Sequence, residues 1–193
     1  MPDTIAMSEV VSFSNHFLIA MPTLGDPNFF RTVAFICEHN SEGAMGIVIN
    51  RPVDLSLKDV FEQLDIAVEH DKFDHIAVHL GGPVQSNRGF VLHEPVGSWE
   101  STLPVTDTVG ISTSRDILDA IAHGQGPARY LLALGYAGWG AGQLEQEIKQ
   151  NAWLSGPASR EILFDMPAQT RWHAAARLLG VDFAMLSEEA GHA

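Results

Sequence analysis

The sequence predicts one α+β domain built on a mixed β-sheet. Three observations carry that prediction. The chain has 193 residues, the size of one full domain and too few for two large ones. Short apolar runs of strand length occur in hairpin-like pairs as well as between amphipathic helical stretches, which favours a mixed sheet over a doubly wound parallel one. No fixed-period repeat, low-complexity tract or Pro/Ser-rich linker divides the elements, so residues 1–193 read as a single domain whose ends, 1–14 and 187–193, are its flexible parts.

The elements follow in order. Phe17-Leu18-Ile19-Ala20-Met21 is an apolar run stopped by Pro22 and reads as the first strand. Leu24-Gly25-Asp26-Pro27 is a turn. From Thr32 to Cys37 apolar side chains fall on both faces, as in an interior strand covered on two sides. Asn40-Ser41-Glu42-Gly43 turns the chain, which returns as Gly46-Ile47-Val48-Ile49-Asn50 before Arg51-Pro52; the two runs form a β-hairpin. Ser56, with Asp59 three positions on, resembles a capping box. Behind it Leu57, Val60, Phe61 and Leu64 form one apolar stripe of a short helix. His75 to Leu80 alternates as a strand and halts at Gly81-Gly82-Pro83. Gly89 to His93, before Pro95, repeats the pattern, and Val109 to Ser112 is a further strand candidate.

Thr113 with Asp116 offers a second helix cap, for a helix through Ile117, Leu118 and Ile121 that stops near Gly124. Tyr130 to Leu134 reads as a buried strand and Gly135 to Gly140 as a loop. Gln143 to Gln150 has strong helix propensity. Ile162 to Phe164 reads as a short strand. Trp172, Ala175, Ala176 and Leu179 mark the stripe of a terminal helix ending at Gly180.

Composition narrows the function. Hydrophobic residues make up 46% and charged residues 18%, enough for a sizeable core, which excludes a disordered tail or a collagen-like fibre. No apolar run approaches the roughly 18 residues of a spanning helix, and Met1-Pro2-Asp3-Thr4 lacks a basic secretion signal, so no membrane association and a cytoplasmic location are expected. Cys37 stands alone, so there is no internal disulfide, which suits a reducing compartment. Lys and Arg number 11 against 24 Asp and Glu, a net charge of −13, and the basic residues are scattered singly. Direct nucleic-acid binding is therefore disfavoured.

The residues that could carry chemistry form three groups. In Cys37-Glu38-His39 strand alternation places Cys37 and His39 on one face, the minimum geometry for a thiolate–imidazole pair or for two metal ligands, with His93 at the end of another strand as a candidate third. The competing reading is an inert core thiol beside a histidine that bonds backbone groups. No further ligands complete a metal site, and no second cysteine supports dithiol redox chemistry. Before the Gln143 helix, the glycines miss both the dinucleotide and the Walker spacing: Gln143 and Ala141 stand where Gly and Lys are needed. The sequence thus points to no cofactor. Finally Arg31, Arg51 and Arg88 lie in Gly- and Pro-rich segments that could converge into a small anion-binding concavity.

These same segments carry a resemblance across almost the whole chain. Leu18-Ile19-Ala20-Met21-Pro22, Arg31-Thr32-Val33, Cys37-Glu38-His39, Gly43-Ala44-Met45-Gly46, Asn50-Arg51-Pro52, Gly81-Gly82-Pro83-Val84, Arg88-Gly89-Phe90-Val91-Leu92-His93 and Gly135-Tyr136-Ala137-Gly138-Trp139 resemble the ordered blocks of the AlgH/YqgE family of bacterial proteins. The resemblance implies a mixed, bifurcated sheet folded into a pseudo-barrel with flanking helices. It brings no catalytic residue, cofactor or substrate with it. One namesake is labelled a transcriptional regulator of alginate synthesis, and the acidic charge of this chain argues that any such effect is indirect.

Two functional expectations result. The first is a non-enzymatic binding or regulatory protein that uses a surface around Arg31, Cys37, His39, Arg51, Arg88 and His93 to recognise a protein or a small acidic ligand. Its rival is an enzyme, a hydrolase or transferase, with a Cys/His-lined cleft.

Overall fold

The computed structural model describes residues 11–68 and 71–185. The flexibility expected of the ends falls, for residues 1–10 and 187–193, outside the described residues. Within 11–14 the chain is tied down, because the Phe13 N–H donates to His39 Nδ1 at 2.9 Å.

Among the described residues there are ten strands. They are β1 (His16–Ala20), β2 (Val33–Asn40), β3 (Gly43–Val48), β4 (Pro52–Ser56), β5 (Ala77–Leu80), β6 (Val84–Glu94), β7 (Thr102–Pro104), β8 (Gly110–Ser112), β9 (Arg129–Gly140) and β10 (Trp153–Pro157). The helices are α1 (Leu57–Gln63), α2 (Arg115–Ala122), α3 (Gln143–Lys149) and α4 (Arg171–Leu178), with short 3-10 turns at Asp71–His75 and Ala168–Thr170. The sheet runs β10-β1-β2-β3-β9-β6-β8-β7 with every neighbour antiparallel. A side branch, β4-β5, joins β9 in parallel through His79↔Ala133 and Leu80↔Leu134. The sheet is therefore mixed and splits at β9, curling into the pseudo-barrel that the family resemblance implies.

The expected hairpin is β2–β3. Strand β2 alternates between two apolar layers. Val33, Phe35 and Cys37 join Phe17, Ile47 and Leu92 inside the curl, whereas Ala34 and Ile36 pack outward with Leu18, Trp139 and Leu144 beneath α3. A third layer, with Phe61, Val78, Ile117 and Leu132, fills the space between the sheet and α1 and α2. The capping box forms as expected: the Asp59 N–H donates to Ser56 Oγ, and the Ser56 N–H donates to the Asp59 carboxylate at 2.8 Å. For α2 the N-cap is Ser114 rather than Thr113.

Several expectations are corrected. Gly135 to Gly140 is not a loop but the second half of β9, paired with β3 from Gly43↔Gly140 to Gly46↔Ala137. Gly135 answers to a crossing, where the glycines of the segment that leaves β5 pass over β9 at the branch. A Cβ on Gly82 would lie 2.1 Å from the Tyr136 carbonyl carbon, and one on Gly81 would lie 2.4 Å from the Gly135 oxygen. Gly135 itself has φ +75°, and a Cβ there would meet the Gly82 oxygen at 2.4 Å. Ile162 to Phe164 is not a strand; it lies in a π-helical turn, Glu161–Asp165, that buries Ile162 and Leu163. So short an apolar run has the same pattern in a buried turn as in a strand. Strands β4, β7 and β10 are additions to the sequence reading.

Candidate functional site

The structure separates Cys37 from His39. Ile36 pairs with Gly46 and Glu38 with Met45, so Cys37 is the extra residue of a β-bulge, and the simple alternation fails there. Cys37 turns inward and is 4% exposed. Its Sγ faces the Phe35 carbonyl oxygen at 3.7 Å. Burial pushes the thiol well above its ordinary pKa, and the charge of Glu38 adds to the effect. His39 turns the other way. Its Nδ1 accepts the Phe13 N–H, which leaves the Nε2–H to donate to Glu145 Oε1 on α3. Glu145 is held below the ordinary carboxylate range by its own backbone N–H and by His39.

His93 is fully buried. Its Nδ1–H donates to the Pro95 carbonyl at 2.9 Å, and its Nε2 accepts the Ser112 hydroxyl at 2.7 Å. Burial lowers its pKa. Cys37, His39 and His93 therefore all lie beneath the surface on which the sequence reading placed them. Among the described residues no group of three His, Cys, Asp or Glu side chains is placed to hold a metal ion.

The three arginines do not converge on one point. Arg51 donates to the backbone oxygens of Pro27, Asn28 and Phe30, the Pro27 and Phe30 bonds being 3.0 Å, and so clamps the loop before β2. Arg31, at φ +53°, ends that loop, with its guanidinium 5.2 Å from the ring centre of Trp172. Arg88 stands apart on β6, held by Gln85 Oε1 and Thr113 Oγ1, each at 3.3 Å, above the Phe90 ring.

Around Arg88 two concavities meet. One is an open groove of about 570 Å³ along β3 and β9, walled by Glu38, Glu42, Met45 and Tyr136. A smaller extension of about 310 Å³ carries it from Glu38, Met45 and Tyr136 to Arg88 and Thr113. The other is a deeper pocket of about 400 Å³ between α1, α2 and the sheet, walled by Leu55, Val60, Leu64, Leu118, Leu132 and Leu134. Arg88, Thr113 and Arg115 stand on its polar rim. The larger groove carries two carboxylates, whereas the residues lining the pocket include two guanidiniums and no carboxylate.

A sequence model described as AlgH-like matches residues 17–184. The chain belongs to the AlgH-like family. It is 58% identical over 187 residues to a UPF0301 protein of Nitrosococcus oceani and 59% identical over 187 residues to one of Thioalkalivibrio sulfidiphilus, in each case across 97% of this chain and 100% of the relative. The solution structure of the AlgH protein from Pseudomonas aeruginosa superimposes with a TM-score of 0.79 at 52% identity, covering 96% of this chain and 98% of that one.

In this AlgH-like chain the pocket was hidden from sequence reasoning. Leu118 reads as the stripe of α2, Leu132 and Leu134 as positions of one buried strand, and Leu55 carries no signal of its own. Only Arg88, already singled out beside Gly89, pointed toward it. Among the described residues no helix is long and apolar enough to cross a membrane.

Proposed function

We propose that this AlgH-like protein is a cytoplasmic binding protein that recognises a small acidic ligand at Arg88, and that any effect on transcription is indirect. Arg88 itself carries the reading. In a chain with 24 acidic residues, Arg115, Arg129 and Arg160 each meet a carboxylate. Arg88 has no carboxylate partner among the described residues and rests on neutral oxygens. An exposed guanidinium held in that way keeps its fork available to a carboxylate or phosphate.

The enzymatic alternative has weaker support. Its nucleophile, Cys37, is sealed in the core with a raised pKa. Both ring nitrogens of His39 and of His93 already have partners. Arginines scattered singly over a chain of net charge −13 do not form the basic patch that nucleic acid requires. The lone, buried cysteine suits a reducing cytoplasm.

The test is amide and guanidinium NMR of isotope-labelled protein titrated with acetate, butyrate and inorganic phosphate to millimolar concentration. The Arg88 Nε–H and Thr113 signals are expected to shift and saturate, and in Arg88→Gln the Thr113 signal is expected to respond only at about tenfold higher acid. A wild-type spectrum that no acid moves at those signals overturns the reading.

A further inference from the structure

We propose that the leucine-walled pocket beside Arg88 takes the straight aliphatic chain of a monocarboxylate whose head group pairs with Arg88. The proposal rests on the reading of Arg88 as the anion contact and adds the chemistry of the ligand's body.

Three observations support it. The first is shape and lining. At about 400 Å³ the pocket falls within the size range of small-molecule sites, its floor is the buried pair Leu118 and Leu132, and none of its lining residues is aromatic. Walls of that kind suit a flexible alkyl chain, whereas a nucleobase or other flat ring gains most from an aromatic face to stack on. The second is charge. The rim carries Arg88 and Arg115, and Arg115 is drawn toward Asp119, with Nε and Oδ2 3.7 Å apart, so one guanidinium remains for one anionic head. Thr113, which already bonds Arg88, adds a hydroxyl at the same rim.

The third is Gly89. Unlike Gly81, Gly82 and Gly135, it has no steric reason to be glycine. A Cβ at Gly89 would meet only Leu132 Cδ1, at an ordinary 3.6 Å. Glycine inside a strand weakens it, so the fold alone would accept a larger residue here. What the missing side chain does is keep the pocket open, because Gly89 lines it next to Arg88.

The test is an affinity series of acetate, butyrate, hexanoate and octanoate on the full chain, measured by calorimetry or NMR titration. Burying each methylene should tighten binding about fourfold once the chain enters the pocket. Arg88→Gln should weaken every acid by about tenfold. Gly89→Val, which fills the pocket, should remove the gain from chain length, so that octanoate binds no tighter than acetate. Thermal melts of Gly89→Val are expected at or above the wild-type value, which separates a filled pocket from a damaged fold. Affinity independent of chain length, with Arg88-dependent acetate binding retained, overturns this proposal and spares the reading of Arg88. Loss of all acid binding overturns both.

Discussion

Two glycines on neighbouring strands should respond to the same substitution with opposite signs. Gly135→Ala forces a Cβ onto a residue at φ +75°, a region that costs an L-residue about 1–2 kcal/mol. The same Cβ would sit 2.4 Å from the Gly82 oxygen and 3.0 Å from both Ser86 Cα and the Val84 oxygen. All three are backbone atoms at the sheet branch, so relief requires the strands to move, and overpacking of this kind costs about 1–3 kcal/mol. Together the two effects centre on roughly 3 kcal/mol. For a domain of this size that lowers the melting temperature by about 6 to 12 °C. Gly89→Ala places its Cβ at ordinary contact distance from one flexible leucine methyl, and should gain about 0.5–1 kcal/mol by stiffening the strand. Urea titration reads both as shifts in midpoint at a constant slope. If Gly135→Ala stays within about 0.5 kcal/mol of wild type, a difference typical of unremarkable surface sites, or if the two variants shift together, the crossing argument fails.

Three other expectations follow from side chains the sheet holds in place. Arg51→Met removes the donors to Pro27, Asn28 and Phe30, and should cost roughly 2 kcal/mol while speeding amide exchange in residues 26–31; unchanged exchange would show that Arg51 does not clamp the loop. Burial, reinforced by the charge of Arg171, lowers the pKa of His79 from 6.5 to about 4, so the unfolded chain takes the proton first as the solution is acidified. The stability this contributes is full above about pH 6.5 and falls by roughly 3 kcal/mol toward pH 4. His79→Asn should make that slope shallower, leaving the share of buried His93, and an unaltered slope would refute the assignment. Cys37 should react with a small thiol reagent no faster than the native fold opens, whereas immediate stoichiometric labelling of folded protein would remove it from the core.

How much of this was legible in the sequence differs from element to element. The β2–β3 hairpin, the Ser56–Asp59 capping box and the stripes of α1, α2 and α4 follow from periodicity and caps, which are local signals. The second half of β9 was not legible, because Gly135 and Gly138 suggest a turn when only neighbours along the chain are considered. The partners that demand glycine at 135, namely Gly82, Val84 and Ser86, come from another strand. The split of Cys37 from His39 was hidden for a related reason: one bulge residue, fixed by the register of β3, reverses the face of the residues beyond it. At the site, Arg88 could be singled out from its Gly-bounded segment. The pocket beside it could not, because its apolar walls come from β4, α1 and its C-cap Leu64, α2 and β9, and reveal a cavity only once those elements are assembled.

The central position of β9 also bears on how the protein is made. Strands β3, β5 and β6 all take β9 as a neighbour, and β9 begins only at Arg129. A nascent chain that has emerged no further leaves open the Gly43–Gly46 edge of β3 and the edge of β6 that carries Phe90, Val91 and Leu92. Exposed edges of that kind are templates for association with other chains. Synthesis that stalls before residue 129 should therefore yield insoluble fragments or chaperone clients, and the chain as a whole should fold slowly, since its organising strand arrives late and pairs at long range.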